Sequence, residues 1–154
     1  MGLDMYLYGE KTVSSETDAN PVMEDGFIVT NKTLDIGYWR KHANLHGFIV
    51  NEFADGEDNC QSIWLTQENL QKIIDTLEAD GMFEERVEGF FFGRSYFPGE
   101  SDEYFSYEKQ KAQDISIFTK ALEWVRNAAP AVGKWGDPDF KWAENRSVYY
   151  RASW

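Results

Sequence analysis

Near the start of the chain Leu3, Met5 and Leu7 alternate with Asp4, Tyr6 and Tyr8. A period of two belongs to a β-strand with one apolar and one polar face, so the rest of the chain must supply the layer that covers Leu3, Met5 and Leu7. Three segments carry a helical period. In "GYWRKHANLHGFIVNEF", a helix beginning at Asp35 or Gly37 puts Trp39, Ala43, His46, Ile49 or Val50, and Phe53 on one face. In "QENLQKIIDTLEAD" the stripe is Leu70, Ile73, Ile74 and Leu77, with Thr66 as N-cap and Gly81 as C-cap. A third helix from Ser106 or Tyr107 to Asn127 turns Ile115, Phe118, Ala121, Leu122 and Val125 inward, and Pro130 ends it.

Further strands are expected at "FIVT" (27–30), at "CQSIWL" (60–65), at "GFFFG" (89–93), whose unbroken apolar run suits a strand covered on both faces, and at the closing "RSVYYRASW". "TVSSETDANPVMEDG" and "AVGKWGDPDFKWAEN" read as loops. The expectation is α+β: one domain over residues 1–154, with a four- or five-stranded, mixed but largely antiparallel sheet packed with three helices. The many aromatic residues of the strands are expected to thicken its core.

With 154 residues the chain can bury about two thirds of the surface its unfolded form exposes, so it needs no covalent staple. Its lone Cys60 suits a reducing interior, Asp4 stands where a signal peptide needs positive charge, and no apolar run reaches about 18 residues. A cytoplasmic protein without a membrane partner is expected. The net charge of −12 argues against direct nucleic-acid binding, with Arg40-Lys41-His42 as the only basic cluster. The acids gather at Glu52–Asp58, Asp75–Glu88 and Glu100–Glu108, either as a solvated surface or as one that attracts a basic partner.

His42 and His46 are spaced as on a metal-binding helix, but the zinc-protease glutamate is replaced by Ala43 and no third histidine exists. Two readings compete with metal. His46 is buried and hydrogen-bonded while His42 sits in water, or Arg40, Lys41 and His46 ring a small anion pocket at the helix start. "DGEDNC" begins like a calcium loop, yet Cys60 and Thr66 stand where glycine and the bidentate glutamate are required. No phosphate-loop, dinucleotide or serine-hydrolase motif occurs, and neither a metal nor a cofactor is expected. A small-ligand or enzymatic site would gather Asp4, Tyr38, Arg40, Lys41, His46, Asp58 and Cys60, with Arg40 and Lys41 on an anionic group and His46 moving protons. Cys60 is alternatively a thiol nucleophile served by His46, or a small buried hydrophobe. A partner-binding surface would use Glu100, Asp102, Glu103, Tyr104 and Phe105, an acidic and aromatic stretch following Arg94, Ser95 and Tyr96.

Together "MGLDMYLY", "GYWRKHANLHGFIV", "DGEDNC", "GFFFG" and the closing Ser-Trp resemble a family of small uncharacterised bacteriophage and prophage proteins. Trp39, Arg40, Lys41, His46, Asp58, Cys60 and Phe91 match its pattern. The resemblance implies a setting, an accessory phage protein inside a bacterium, and implies no activity, substrate or cofactor. The expected function is non-enzymatic binding of a host or defence protein, including a nucleic-acid-binding one met by a carboxylate face that imitates DNA. The alternative is the small-ligand or enzymatic site above.

Overall fold

The structure, a computed structural model, describes residues 2–82, 97–103 and 105–154. The expected strand at 89–93, with Phe91, and residues Glu84 to Glu88, Arg94, Ser95, Tyr96 and Tyr104 lie outside the described residues. In chain order the elements are β1 (Asp4–Thr12), β2 (Met23–Glu24), β3 (Phe27–Ile28), β4 (Asn31–Arg40), α1 (Ala43–Phe53), β5 (Ser62–Leu65), α2 (Gln67–Glu78), α3 (Tyr107–Arg126) and β6 (Arg146–Ser153). The fold is α+β. Among the described residues four strands form an antiparallel sheet in the order β4-β1-β6-β5, and β2 and β3 form a separate two-stranded sheet. The opening alternation places Leu3, Met5 and Leu7 in the core beside Val148, Tyr150, Ile63 and Leu65.

One expected helix is shorter than its sequence period suggests. Residues 31–40 form β4, and α1 starts only at Ala43. Met5 lies opposite Trp39 and Tyr6 opposite Tyr38, so Trp39 is buried by strand alternation while Tyr38 and Arg40 point the other way. The sheet register turns at Lys41, which adopts a left-handed conformation (φ 56°) and donates its N–H to Leu3 O at 2.7 Å. Pairing with β1 satisfies a row of backbone groups that a helix starting at Gly37 would have taken for itself. Residues 43–50 of α1 are then buried on every side, as befits a central helix rather than an amphipathic one.

The loop expected over 12–26 contains β2, which returns through Asp25-Gly26, both with positive φ, into β3. This is the Asp-Gly chemistry that a two-residue hairpin turn requires. Thr66 caps α2 as expected, accepting from Asn69 N–H at 3.1 Å. At the other end Asp80, not Gly81, takes the left-handed position (φ 56°), and the Gly81 N–H reaches back to Thr76 O at 2.9 Å. The strand expected from Cys60 begins at Ser62, because Cys60 itself is left-handed (φ 60°) in the turn before it.

Helix α3 lies close against the sheet. Phe118 stacks on Trp39 with ring centroids 5.4 Å apart, and Trp124 and Ile117 press on Gly9 and Gly37. A Cβ at Gly9 would stand 2.8 Å from Trp124, and one at Gly37 would stand 2.7 Å from Ile117. Gly9→Ala and Gly37→Ala should each destabilise by about 1–3 kcal/mol through overpacking, read as a lower urea midpoint at unchanged slope. Gly26→Ala meets no neighbour but is strained at its positive φ.

The end of β1 is pinned by Glu144, which pairs with Lys11 at 2.5 Å and Arg146 at 2.9 Å and accepts from the Ala129 N–H. The Lys11 bond, the Ala129 N–H and the Arg146 guanidinium together hold its carboxyl down to about 2. A depressed acid stabilises fully above its ordinary range and loses that contribution as the pH falls through its folded value. The melting temperature should therefore fall between about pH 4.5 and about pH 2, and Glu144→Gln should flatten the curve in that window.

Candidate functional site

The expected constellation of seven residues divides into separate places. His46 is fully buried and its ring nitrogens are both used. Nε2 lies 2.8 Å from Asp58 Oδ2, and Nδ1 lies 2.7 Å from Tyr150 Oη. A carboxylate can only accept, so Nε2 carries a proton, and in the neutral ring Tyr150 donates to Nδ1. Burial and the nearby Asp58 charge both raise the Tyr150 hydroxyl well above its ordinary range, which keeps it a neutral donor. Asp58 also accepts from Trp154 Nε1 at 3.1 Å. The chain Tyr150–His46–Asp58–Trp154 thus ties β6, α1, the turn before β5 and the C-terminal residue together. With both nitrogens engaged, His46 has no lone pair to offer Cys60 or a substrate. Cys60 is a half-buried free thiol.

Asp4, Tyr38 and Arg40 do meet, on the face of the sheet away from the helices. Tyr38 donates to Asp4 Oδ1 at 2.5 Å, and Arg40 Nε lies 4.0 Å from the same oxygen. The bond to Asp4 raises the Tyr38 hydroxyl above its ordinary range. Neither His46 nor Asp58 belongs to this group.

The constellation that the sequence did not reveal is centred on Asp114. This α3 side chain is fully buried and is satisfied from three elements. Oδ1 accepts from Trp39 Nε1 of β4 and from Gln110 Nε2 one turn earlier on α3, each at 2.7 Å. Oδ2 accepts from His42 Nε2, at the start of α1, at 2.6 Å. His42 is therefore held by a carboxylate and mostly buried, which corrects the alternative that places it in water. Its other nitrogen, Nδ1, is buried with no partner among the described residues. The only sequence signal was an acidic residue one position before the inward-facing Ile115.

His42 forms part of the wall of a cleft of about 360 Å³, which it lines with Arg40, Lys41, Phe105 and Gln110. Phe105 is thus half-buried beside the basic residues, not displayed with the acids. Glu100 and Asp102 brace their own loop, accepting from the Phe97 and Phe105 N–H groups at 3.3 and 2.7 Å, while Glu103 is exposed. His42 and His46 serve different carboxylates, and no three His, Cys, Asp or Glu side chains among the described residues converge as a metal set would.

The described strand aromatics, expected in the core, lie largely on the face of the sheet that none of the described helices covers. Cross-strand pairs put Tyr38, Tyr6 and Arg151 in one row and Tyr8, Tyr149 and Trp64 in the next. Tyr6, Tyr38 and Trp64 are 42%, 48% and 60% exposed. Tyr6 packs on Tyr38, and Tyr8 stacks on Tyr149, with centroids 5.4 and 5.5 Å apart. A second exposed group, Trp135, Phe140 and Trp142, clusters on the loop before β6. Comparison of the chain with family models, curated proteins and solved structures returned no match in any of the three.

Asp114→Ala would leave buried donors on Trp39 and His42 without an acceptor. It should cost about 3–5 kcal/mol, whereas Gln110→Ala, at the edge of the network, should cost about 1 kcal/mol. Urea unfolding of both variants against the parent protein checks the ranking.

Proposed function

We propose that the protein acts without catalysis, as a phage-type accessory protein that occupies a bacterial host or defence protein through the face of its sheet that no described helix covers. The carrying observation is the composition of that face: Tyr6, Tyr8, Tyr38, Tyr149 and Trp64, interleaved with Arg40 and Arg151. Tyr, Trp and Arg are the residue types that concentrate binding energy in protein interfaces. Rings held by cross-strand stacking are already ordered, so little side-chain entropy remains to be lost on association. Large exposed rings are also unusual on a surface that meets only water, and four of the six tryptophans are exposed here.

The acidic body gives such a partner its sign. Glu10 and Asp35 lie on exposed positions of the same strands, and Asp55, Glu57, Asp75, Glu78, Glu103 and Glu108 are exposed elsewhere. A partner with a basic rim around an apolar centre fits this arrangement, with the charge speeding encounter and the rings setting the lifetime of the complex. A pure carboxylate array imitating DNA is favoured less on this face, because Arg40 and Arg151 interrupt it and Asp4 is already engaged by Tyr38 and Arg40.

The test is affinity capture from a bacterial extract by the parent protein and by Tyr6→Ser/Trp64→Ser, at low and high salt. These exposed side chains support no core contact, so both proteins should melt alike. The expected outcome is a partner retained by the parent and lost by the double variant, with capture weakening as salt rises. Equal capture by both proteins, or no reproducible partner for either, would overturn the proposal.

A further inference from the structure

We propose that the cleft formed by Arg40, Lys41, His42, Phe105 and Gln110 is a binding site for a small phosphate-class oxyanion, a phosphomonoester with a flat organic part. This site adjoins the partner-binding face proposed above and shares Arg40 with it, but does not rest on that proposal.

The first support is charge. The chain carries 15 Lys and Arg against 27 Asp and Glu, so a cation on this surface has many acids competing for it. Yet Lys41 makes no ion pair among the described residues. Among the described residues Arg40 has an ion pair with Asp4 alone, through Nε at 4.0 Å, and that Asp4 oxygen already accepts from Tyr38 at 2.5 Å. The planar fork of Arg40 keeps its terminal nitrogens for an oxyanion, and Lys41 adds a point charge beside it.

The second support is preorganisation. Lys41 is held in its left-handed conformation by the bond to Leu3 O, at the junction of β4 and α1. Backbone strain of this kind persists where the surroundings over-determine it. Behind Lys41, the buried Asp114 fixes both His42 and Gln110, at 2.6 and 2.7 Å. Its two oxygens are filled by Trp39, Gln110 and His42, so the carboxylate is turned to its own donors. On the His42 ring that forms this wall, Nδ1 is a further polar atom, buried with no partner among the described residues.

The third support is size and lining. About 360 Å³ lies within the range of small-molecule sites. The lining puts cations at one side, an aromatic ring at another and an amide between them. Phe105 is placed to cover the flat part of the ligand and Gln110 to hydrogen-bond it, while Arg40 and Lys41 take the phosphate. No bond is made or broken in this role.

The test is titration calorimetry at low salt with inorganic phosphate and with phenyl phosphate, on the parent protein, Arg40→Ala/Lys41→Ala, and Tyr6→Ser/Trp64→Ser. The parent should bind phenyl phosphate with a Kd of about 1 mM or tighter, and more tightly than inorganic phosphate because of Phe105. Arg40→Ala/Lys41→Ala should weaken binding at least about tenfold at an unchanged melting temperature. Tyr6→Ser/Trp64→Ser should bind phenyl phosphate as the parent does, so that failure of this site and failure of the partner-binding face are read separately. No saturable binding by the parent, or undiminished binding by Arg40→Ala/Lys41→Ala, would overturn the proposal.

Discussion

One buried carboxylate ties a strand of the sheet to two helices in this molecule. Asp114 sits on α3 with no access to water and accepts from Trp39 on β4, Gln110 on its own helix and His42 at the start of α1. An uncompensated charge there would be costly, and its three donors are what make the position tenable. In return it fixes the depth of Trp39, whose ring then stacks on Phe118, and the point at which the chain leaves the sheet to begin α1. The polar network and the apolar core are thus one construction. Gly9 and Gly37 let α3 approach close enough for the bonds to Asp114 to form.

The same anchor separates two surfaces with different chemistry. On the face that no described helix covers, pairing of four strands displays tyrosines, a tryptophan and Arg151 in two adjacent rows, with Arg40 opposite Asp4 in a further one. At the edge of that face the strand ends, the chain turns through Lys41, and the basic residues open into the cleft beside Phe105. Arg40 belongs to both, as the last residue of β4 and the first wall of the cleft. A macromolecular partner on the sheet face and a small anion in the cleft would therefore be neighbours.

Much of the scaffold was legible without coordinates because local signals govern it. The Leu3, Met5, Leu7 alternation, the Thr66 cap, the Leu70, Ile73, Ile74, Leu77 stripe and the inward Phe118, Ala121 and Leu122 all occur as read. These features depend on period and capping within a few residues. The buried, hydrogen-bonded His46 was also accessible, since it lies among apolar neighbours on a helical face. The start of α1 was not. Gly37 to Arg40 fit a helical and a strand period equally, and the pairing of Trp39 with Met5, far away in sequence, decides between them. Long-range pairing overrides local preference in this way when it buries more and satisfies more backbone.

By itself the sequence determined the class of fold, the identity of most core residues, the acidic character of the surface and the existence of one basic cluster, because each follows from composition or from spacing along the chain. Only the tertiary structure decided that most of the described strand aromatics face outward while Trp39 and Tyr150 face the core, that His42 is paired with Asp114, and that Asp4 and Arg40 stand apart from His46 and Asp58. Those facts depend on which strand lies beside which and on which face the helices cover. Side chains 72 and 75 residues apart meet at Asp114, and no local period encodes such a meeting.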